Sequence, residues 1–401
     1  MTRRRTSGRR RLNAERRERE TVKPLELYFD LVFVLGFTQC TALMAAQPTW
    51  AGIGRGMLVL AVLWWAWVGY AWLTSVIEPE EGAVRLAMFG AMAGLLVVAL
   101  CVPAAFGERA LPFAIAYAVV RLGHITLFVL ASREDAGLRR SVAGFAVTST
   151  TASALLIAAS FLDGAGQAAL WGVAIVLDWG GPAMVGVARN LIPIEGWRLV
   201  PAHFAERHNL VIILALGESI VALGVGAEAE LTTGLIVAAT LGIALASAMW
   251  WVYFDVVSLV TERRLIQAAE GPVRNALARD SYSYLHFPMV AGIVLSALGL
   301  EATLAHLDEP LDSQRSFALL GGVAIYLLGH VALRLRNAHT VNRQRLVLAL
   351  ALLVLVPAAT EVTALTTLAA INVPLWAMIA YETLRYGERR YNLRHGLEPE
   401  G

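Results

Sequence analysis

The sequence predicts an all-α polytopic membrane protein with about twelve transmembrane helices. Three observations predict it: the composition, the length of the apolar runs and the placement of the arginines. Of the 401 residues, 57% are hydrophobic and only 16% are charged, whereas ordinary globular chains carry about 25% charged residues. A soluble core cannot hide that much apolar surface, so most of it must face lipid. This composition excludes the collagen-like, disordered, disulfide-scaffold and nucleic-acid-binding classes.

The apolar runs give the helix count, because a membrane-spanning helix needs about 20 predominantly apolar residues. Barrel strands would instead alternate over about ten residues. Only a short turn near 363–367 separates the last two runs, so this is the weakest of the predicted boundaries. The twelve runs lie at 25–46, 54–77, 84–105, 110–131, 141–161, 168–188, 208–227, 233–257, 283–305, 315–334, 346–364 and 366–384.

The basic residues give the orientation, since cytoplasmic loops carry an excess of lysine and arginine. With the N-terminus inside, 29 of the 33 basic residues fall in cytoplasmic segments. Only Arg55, Arg109 and Arg315 fall in outer loops, and Arg121 lies within a helix. One helix fewer would invert every later loop, so this distribution supports the count. Both termini are therefore predicted to lie in the cytoplasm.

Residues 1–24 form a basic tail that carries ten basic and three acidic side chains. Such a tail beside an apolar helix is expected to bind anionic lipid headgroups. Binding of nucleic acid is disfavoured because no aromatic residues interleave the arginines. The tail does not have the pattern of a cleaved signal peptide. The two cysteines, Cys40 and Cys101, have no metal-ligand spacing and are expected to be reduced core residues.

Five motifs recur in the same order in the two halves of the chain, at spacings that rise steadily. The alignment of the first motif pair places Gln39 opposite Glu218. The pattern predicts a basic tail (1–24), a six-helix repeat (25–190), a cytoplasmic linker (191–207), a second repeat (208–385) and a C-terminal tail (386–401). Six helices per half make the halves parallel, related by an axis along the membrane normal. The matching segments are 29–32 with 208–211, 64–67 with 250–253, 81–85 with 270–274, 89–94 with 287–292, and 122–124 with 328–330.

Several of these segments resemble the bacterial low temperature requirement protein A family. They read ELYFDLVFV at 26–34, WWAWVGY at 64–70, ALGESIV at 215–221, WWVYFD at 250–255 and HFPMVAG at 286–292. The resemblance implies a multi-pass protein of the bacterial cytoplasmic membrane, linked by name to growth in the cold, and it names no reaction.

A looser resemblance joins residues 28–38 to the first helix of bacterial and lysosomal potassium channels that carry a Phe-Ser-Asp motif in each six-helix repeat. Here Tyr28 precedes Phe29 and Asp30, and the second repeat has His208 and Asn209 in place of Phe and Asp. The likeness is one of analogy.

Ionisable residues at membrane depth are costly and are functional candidates by default. Glu218 is expected near the bilayer centre, and a carboxyl group there predicts a proton- or cation-coupling site. Its aligned position in the first half is the neutral Gln39, as expected if the two halves diverged after duplication. Arg121 needs an acidic partner, and Glu218, Asp178 or Asp30 could supply it. The alternative for Glu218 is a protonated side chain that only packs helices together. The candidate coupling residues are Glu218, Arg121, His124, His330 and Gln39.

A second set of polar residues is expected at the cytoplasmic ends of the helices. Its members are Glu26, Asp30, His208, Asn209, Asp255 and His286. The alternative is that these side chains cap helices or reach out to water. Asp30 and Gln39 lie nine residues apart, half a turn out of phase on an ideal helix. The cytoplasmic set and the Glu218 site are therefore predicted to be separate.

Four tryptophans lie in mid-helix, where an interfacial belt would not place them. Trp64, Trp65, Trp250 and Trp251 are predicted to be buried, with packing favoured over ligand stacking. His124 and His330 show no zinc-ligand spacing, so we expect no metal. Neither a nucleotide-binding motif nor a recognisable nucleophile–base pair occurs, and we expect no cofactor and no enzyme.

The leading functional hypothesis is a secondary transporter or ion-conducting protein that moves an ion or small solute. The first alternative is a potassium-type channel with helices 1 and 7 lining one pore. The second is a membrane scaffold, sensor or intramembrane enzyme. A homo-oligomer is compatible with the sequence.

Overall fold

The computed structural model describes residues 21–80, 82–133, 135–187, 199–227 and 231–395, and within these ranges it contains helices and no strand. We number the helices in chain order. They are α1 Pro24–Ala46, α2 Trp50–Thr74, α3 Gly82–Ala104, α4 Ala110–Ala131, α5 Ala136–Ala159, α6 Gly164–Val187, α7 Pro201–Gly226, α8 Thr233–Gln267, α9 Pro272–Ala305, α10 Ser313–Ala338, α11 Arg343–Ala359, α12 Ala364–Arg385 and α13 Gly387–His395.

Ten helices of the described chain are long and apolar enough to cross a membrane. This finding confirms the prediction of an all-helical polytopic protein. The other two predicted spans are present as helices, α6 and the 17-residue α11, but they are not among the ten. The first 20 residues of the basic tail, the linker residues 191–198 and the C-terminal residues 396–401 lie outside the described ranges.

The helices differ from the predicted runs mainly at their starts, which lie earlier in the chain. α7 begins at Pro201 rather than 208, and α9 begins at Pro272 rather than 283. In both cases a proline opens the helix, where its missing N–H costs no hydrogen bond. Polar residues fill the first turns and hide them from a search for apolar runs. The last seven residues of the predicted linker, 201–207, therefore belong to α7.

Several helix starts follow from the side chain that precedes them. Thr49, Asp135, Thr232, Asn342 and Thr363 each accept a hydrogen bond from a backbone N–H of the first turn. These contacts satisfy donors that have no partner within the helix. The short turn before Thr363 separates α11 from α12, where the sequence predicted the weakest boundary.

The helices pack in the same order in the two halves of the chain. In the first half, α1 packs on α2 and α3, α3 on α4, α4 on α5, α5 on α6, and α6 returns to α2. In the second half, α7 packs on α8 and α9, α9 on α10, α10 on α11, α11 on α12, and α12 returns to α8. The halves meet where α1 and α2 contact α7 and α9.

Two helices contain a stretch of π-helix. It covers Ala278–Tyr284 in α9 and Phe317–Gly321 in α10. Such wide turns often occur at functional positions. In α9 the stretch lies against the first half, because Trp64 donates its Nε1–H to the Ser283 carbonyl at 2.8 Å and Trp72 donates to the Ser283 hydroxyl at 3.0 Å.

Candidate ion-coupling site

Glu218 lies on α7, fully buried, and faces α1. Its Oε2 atom is 2.6 Å from the Thr38 hydroxyl, which also lies 3.2 Å from the Val34 carbonyl. The Thr41 hydroxyl lies close to the same carboxyl group, and the half-buried carboxyl group of Glu301 faces it from α9. Among the described residues, no basic side chain pairs with Glu218, and its Oε1 atom accepts no hydrogen bond. An ionisable group buried within a membrane helix without a basic partner is a functional candidate.

The position of Glu218 along α7 differs from the expected one. The helix runs from Pro201 to Gly226, so Glu218 lies about 26 Å from its start and about 12 Å from its end at 1.5 Å per residue. The expectation of a central position assumed a helix that begins at 208. Because α7 begins earlier, Glu218 belongs to the part of the helix nearer the predicted outer end.

The other candidate coupling residues do not gather around Glu218. Gln39, the aligned mate of Glu218, is half-buried, and Thr38 beside it makes the contact instead. His330 lies on α10 against the rings of Tyr326 and Tyr253, at centroid distances of 4.6 and 6.0 Å. The sequence did not single out Thr38, because a hydroxyl within an apolar helix usually bonds its own backbone.

Arg121 and His124 form a separate site in the first half. Arg121 Nη2 lies 3.0 Å from both carboxylate oxygens of Asp178 on α6, and both side chains are buried. Of the three acids that the sequence offered as partners, the structure selects Asp178. A Cβ atom on Gly69 would lie 2.8 Å from His124 Cε1 and 2.9 Å from Arg121 Nη1. The absence of a side chain at position 69 therefore makes room for both residues.

The cytoplasmic set is built around an arginine that the sequence analysis did not list as a site residue. Arg207 of α7 donates to Glu26 Oε1 at 2.9 Å and to Asp30 Oδ1 at 2.6 Å. His203, one turn earlier, lies 2.9 Å from the same Glu26 oxygen. The Trp67 indole donates to Asp30 Oδ1 at 2.9 Å. Glu26, Asp30, His203 and Arg207 are all fully buried, so the two carboxylates are held by bases and do not reach out to water.

His208, Asn209 and His286 form an aromatic and polar layer beside this network. The rings of His208 and His286 lie 5.4 Å apart. The Tyr253 hydroxyl is 2.8 Å from both Asn209 Oδ1 and His286 Nε2. His286 Nδ1 faces the Ser281 carbonyl at 2.8 Å, and since a carbonyl only accepts, this nitrogen carries a proton. The structure thus brings these three predicted residues together.

Asp255 lies apart from that layer and holds the C-terminal helix. It forms ion pairs with Arg390, at 2.9 Å, and with Arg394 of α13. Arg390 also contacts Glu382 at 3.3 Å, and Arg345 pairs with the same glutamate at 2.9 Å. Burial lowers the pKa of the Arg390 guanidinium, although Glu382 opposes that shift. Asp255 therefore fixes the C-terminal segment rather than joining the predicted cluster.

The tryptophan prediction is correct for one helix and wrong for part of the other. Trp64 and Trp65 of α2 are buried, at 0% and 4% exposure, but Trp250 of α8 is 46% exposed and Trp251 is half-buried. Trp250 stacks on Phe254 at 5.2 Å on the outer surface of the bundle. Helix periodicity alone does not say which face meets lipid when every face is apolar.

No group of three or more His, Cys, Asp and Glu side chains lies close enough to bind a metal ion within the part of the chain that the structure describes. The polar groups instead pair with one another or with aromatic rings. Glu218 supplies a buried carboxyl group between α1 and α7, and the buried ion pairs can hold helices together.

The fold and these intramembrane polar sites define a polytopic helical membrane protein. The sequence model of the family described as bacterial low temperature requirement A protein (LtrA) matches residues 21–380. The chain therefore belongs to this bacterial family, as the motifs predicted. A similar protein is the uncharacterized protein RA0937 of Rhizobium meliloti (strain 1021), which is 29% identical over 377 residues and covers 90% of each chain.

Proposed function

We propose that this protein is a secondary transporter or ion-conducting protein that couples the movement of an ion or small solute to proton binding at Glu218. The observation that carries the proposal is a fully buried carboxyl group whose hydrogen-bonding partner is the Thr38 hydroxyl. An ionisable group at membrane depth is costly, and it is kept where it serves an ion or proton pathway.

The Thr38 hydroxyl suits both protonation states of Glu218. A hydroxyl has one proton and can also accept. When Glu218 is ionised, Thr38 donates to the carboxylate across 2.6 Å. When Glu218 is protonated, Thr38 can turn its proton to the Val34 carbonyl at 3.2 Å and accept from the acid. The same heavy-atom positions therefore serve a bound and a released proton, which is what a coupling site requires.

The proposal includes twelve membrane helices in two parallel six-helix repeats. The repeated packing order of the helices supports it, and so do two pairs of contacts at aligned positions. Trp67 donates to Asp30 in the first half, and Tyr253 donates to Asn209 in the second. These four residues are aligned pairwise by the sequence motifs, at the offsets 179 and 186 found for those motifs.

A second pair of aligned contacts lies where α3 packs on α4 and α9 packs on α10. A Cβ atom on Gly94 would lie 2.7 Å from Val120, and one on Gly292 would lie 2.6 Å from the backbone nitrogen of Tyr326. Glycine thus permits the same close approach in both halves. Duplication of one unit would explain why two distant stretches of the chain make the same contacts.

We also propose that both termini lie in the cytoplasm of a bacterium and that the protein resides in the inner membrane. The arginine distribution supports this orientation. Contacts between loops agree with it. The Val22 backbone N–H donates to Glu206 at 2.9 Å, and Lys23 lies 4.0 Å from Glu78, so three segments predicted to be cytoplasmic are neighbours. The basic tail would then meet anionic lipid headgroups.

The potassium-channel alternative is less well supported. It requires the Asp30 region to line an open pore, but the Asp30 carboxylate is buried between Arg207 and Trp67. A scaffold, sensor or enzyme would need a partner or a reactive pair, and neither is suggested by the contacts around Glu218.

The test uses the purified protein in proteoliposomes on a solid-supported membrane, challenged first with proton and then with potassium gradients. The variant is Glu218→Gln, and the matched control is Glu361→Gln at an exposed carboxylate beyond the end of α11. We expect a proton-driven current in the wild type and the control, and none in Glu218→Gln. An equal current in all three proteins would remove Glu218 from the pathway. No current from folded protein under any gradient would favour the scaffold or enzyme class.

A further inference from the structure

The buried ion pairs at the cytoplasmic ends of α1 and α7 join the two halves of the molecule. Both acids, Glu26 and Asp30, are on α1, and both bases, His203 and Arg207, are on α7. The closest contacts run from 2.6 to 2.9 Å across 177 to 181 positions of sequence. The network therefore connects the first repeat to the second through charge rather than through apolar packing.

Groups from α2 complete the network. Arg207 Nη1 donates to the Thr74 hydroxyl at 3.1 Å, and His203 Nδ1 lies 3.3 Å from the Ser75 hydroxyl. The guanidinium carbon of Arg207 lies 5.7 Å from the centre of the Trp67 ring. Three helices thus enclose the charges completely, and the network forms a closed layer across the interface.

Stability alone does not explain such an arrangement. Replacing a buried ion pair by apolar residues of similar size often leaves a protein equally stable or more so. An ion network has a different property, because it separates into hydrated charges when water enters, whereas an apolar contact does not. Buried charges between two bodies are therefore suited to an interface that opens.

The network lies between the same two helices as Glu218, α1 and α7, and closer to the N-terminal ends of both. Asp30 precedes Thr38 by eight residues on α1, about 12 Å, and Arg207 precedes Glu218 by eleven residues on α7, about 16 Å. Phe33 and Phe37 of α1 lie between the two levels and are buried. Water that approaches Glu218 from the predicted cytoplasmic side along α1 and α7 must first pass the network.

We propose that the Glu26, Asp30, His203 and Arg207 network is a cytoplasmic ionic gate between the two halves. Closed, as in this structure, it seals Glu218 from the cytoplasm. Separation of the α1 acids from the α7 bases admits water to Thr38 and Glu218. This inference rests on the proposed function, since a gate presupposes a site to be reached, but it can be tested without any transported substrate.

The chain supplies its own reporter for water at the coupling site. It has two cysteines, and Cys40 of α1 is fully buried within electrostatic range of Glu218. Cys101 lies on α3, so Cys101→Ala leaves Cys40 as the single thiol. A thiol reacts with charged reagents only where water lets it ionise. The labelling rate of Cys40 therefore measures access to the site.

The experiment compares the Cys101→Ala protein with the same protein carrying Arg207→Gln, in sealed vesicles of each orientation, using a membrane-impermeant thiol reagent. The matched control is Arg336→Gln, because Arg336 pairs with Asp280 within the second half. We expect Arg207→Gln to raise the Cys40 labelling rate about tenfold from the side that carries the N-terminus, as a shift in the closed–open equilibrium would. We expect no change in the control.

Arg207→Gln leaves the buried Asp30 carboxylate without a basic partner and Glu26 with His203 alone, so it can prevent folding. The second variant, Glu26→Gln with Asp30→Asn and Arg207→Gln, removes all three charges together and avoids that cost. It is expected to fold and to label faster than the parent as well. A folded triple variant whose Cys40 is labelled at the parent rate would overturn the gate. Equally faster Cys40 labelling from both sides of the membrane would also overturn it. If Cys40 is labelled faster in these variants but the wild-type protein conducts no current, the result supports the gate and contradicts the proposed transport.

Discussion

The Thr38 hydroxyl of α1 lies 2.6 Å from the Glu218 carboxyl group of α7, 180 positions along the chain. This contact links the two halves of the chain at the only carboxyl group of α7 that is fully buried within the described residues. Interhelical hydrogen bonds of this kind contribute on average about 0.6 kcal/mol in membrane proteins, with a maximum near 1.7. The contact is short and engages an acid, so its removal tests both the stability of the α1–α7 interface and the coupling site.

We predict that Thr38→Val lowers the free energy of unfolding by about 1 kcal/mol. The substitution keeps the volume and removes the hydroxyl that lies 2.6 Å from the acid. Thr38→Ser retains the hydroxyl and is the control. Thermal unfolding in detergent measures the stability, and the proton-driven current measures the coupling. If the valine and serine variants are indistinguishable in both measurements, the hydrogen bond has no role.

The Arg121 and Asp178 pair gives a second prediction. Removing one partner of a buried ion pair typically costs about 3–5 kcal/mol, because the remaining charge has no counterion. Arg121→Met and Asp178→Leu are therefore each expected to destabilise the protein strongly. The double variant removes both charges and is expected to recover most of the loss. A double-mutant cycle on unfolding temperatures measures the coupling, and additive losses would contradict the pairing.

Gly69 gives a third prediction, because its missing side chain accommodates the guanidinium of Arg121 and the ring of His124. Gly69→Ala would place a methyl group 2.8 Å from His124 Cε1, too close for an ordinary contact. We expect a loss of about 1–3 kcal/mol, typical of overpacking. Gly54→Ala on the same helix meets no atom within 4 Å and is the matched control. Since alanine favours helix over glycine, the control is expected to be neutral or slightly stabilising.

The sequence predicted the helical membrane fold well, because apolar length and arginine placement are properties of single segments. It predicted partners poorly, because contacts join residues that lie far apart in the chain. In the sequence, Arg207 indicates only a cytoplasmic loop, and no motif singles out His203. Both lie in the polar first turns of α7, which a search for apolar runs assigns to a linker. Their contacts with α1 depend on a helix that begins at Pro201.

The sequence also limited Arg121 to three acidic partners and could not choose among them. The choice of Asp178 depends on how α4 and α6 approach, which no spacing within either helix encodes. Trp250 also shows that sequence motifs do not determine the surroundings of a residue. Its motif matches that of Trp64, but the two halves of the chain place this position in different surroundings, since Trp64 is fully buried and Trp250 is 46% exposed.

That difference yields the last prediction. Trp64 is fully buried and donates its indole N–H to the Ser283 carbonyl at 2.8 Å, whereas its aligned mate Trp250 is 46% exposed and stacks on Phe254. Trp64→Phe removes the donor and part of the packing against the π-helical stretch of α9, so we expect it to lower the free energy of unfolding by about 1–3 kcal/mol. Trp250→Phe keeps an apolar ring against lipid and is expected to change stability by less than about 0.5 kcal/mol. The two variants carry the same chemical change at aligned positions, so thermal unfolding of both in one detergent compares the surroundings alone. Equal losses would mean that position 250 is also buried, for instance against a second copy of the chain, and cross-linking in the membrane would then identify that contact.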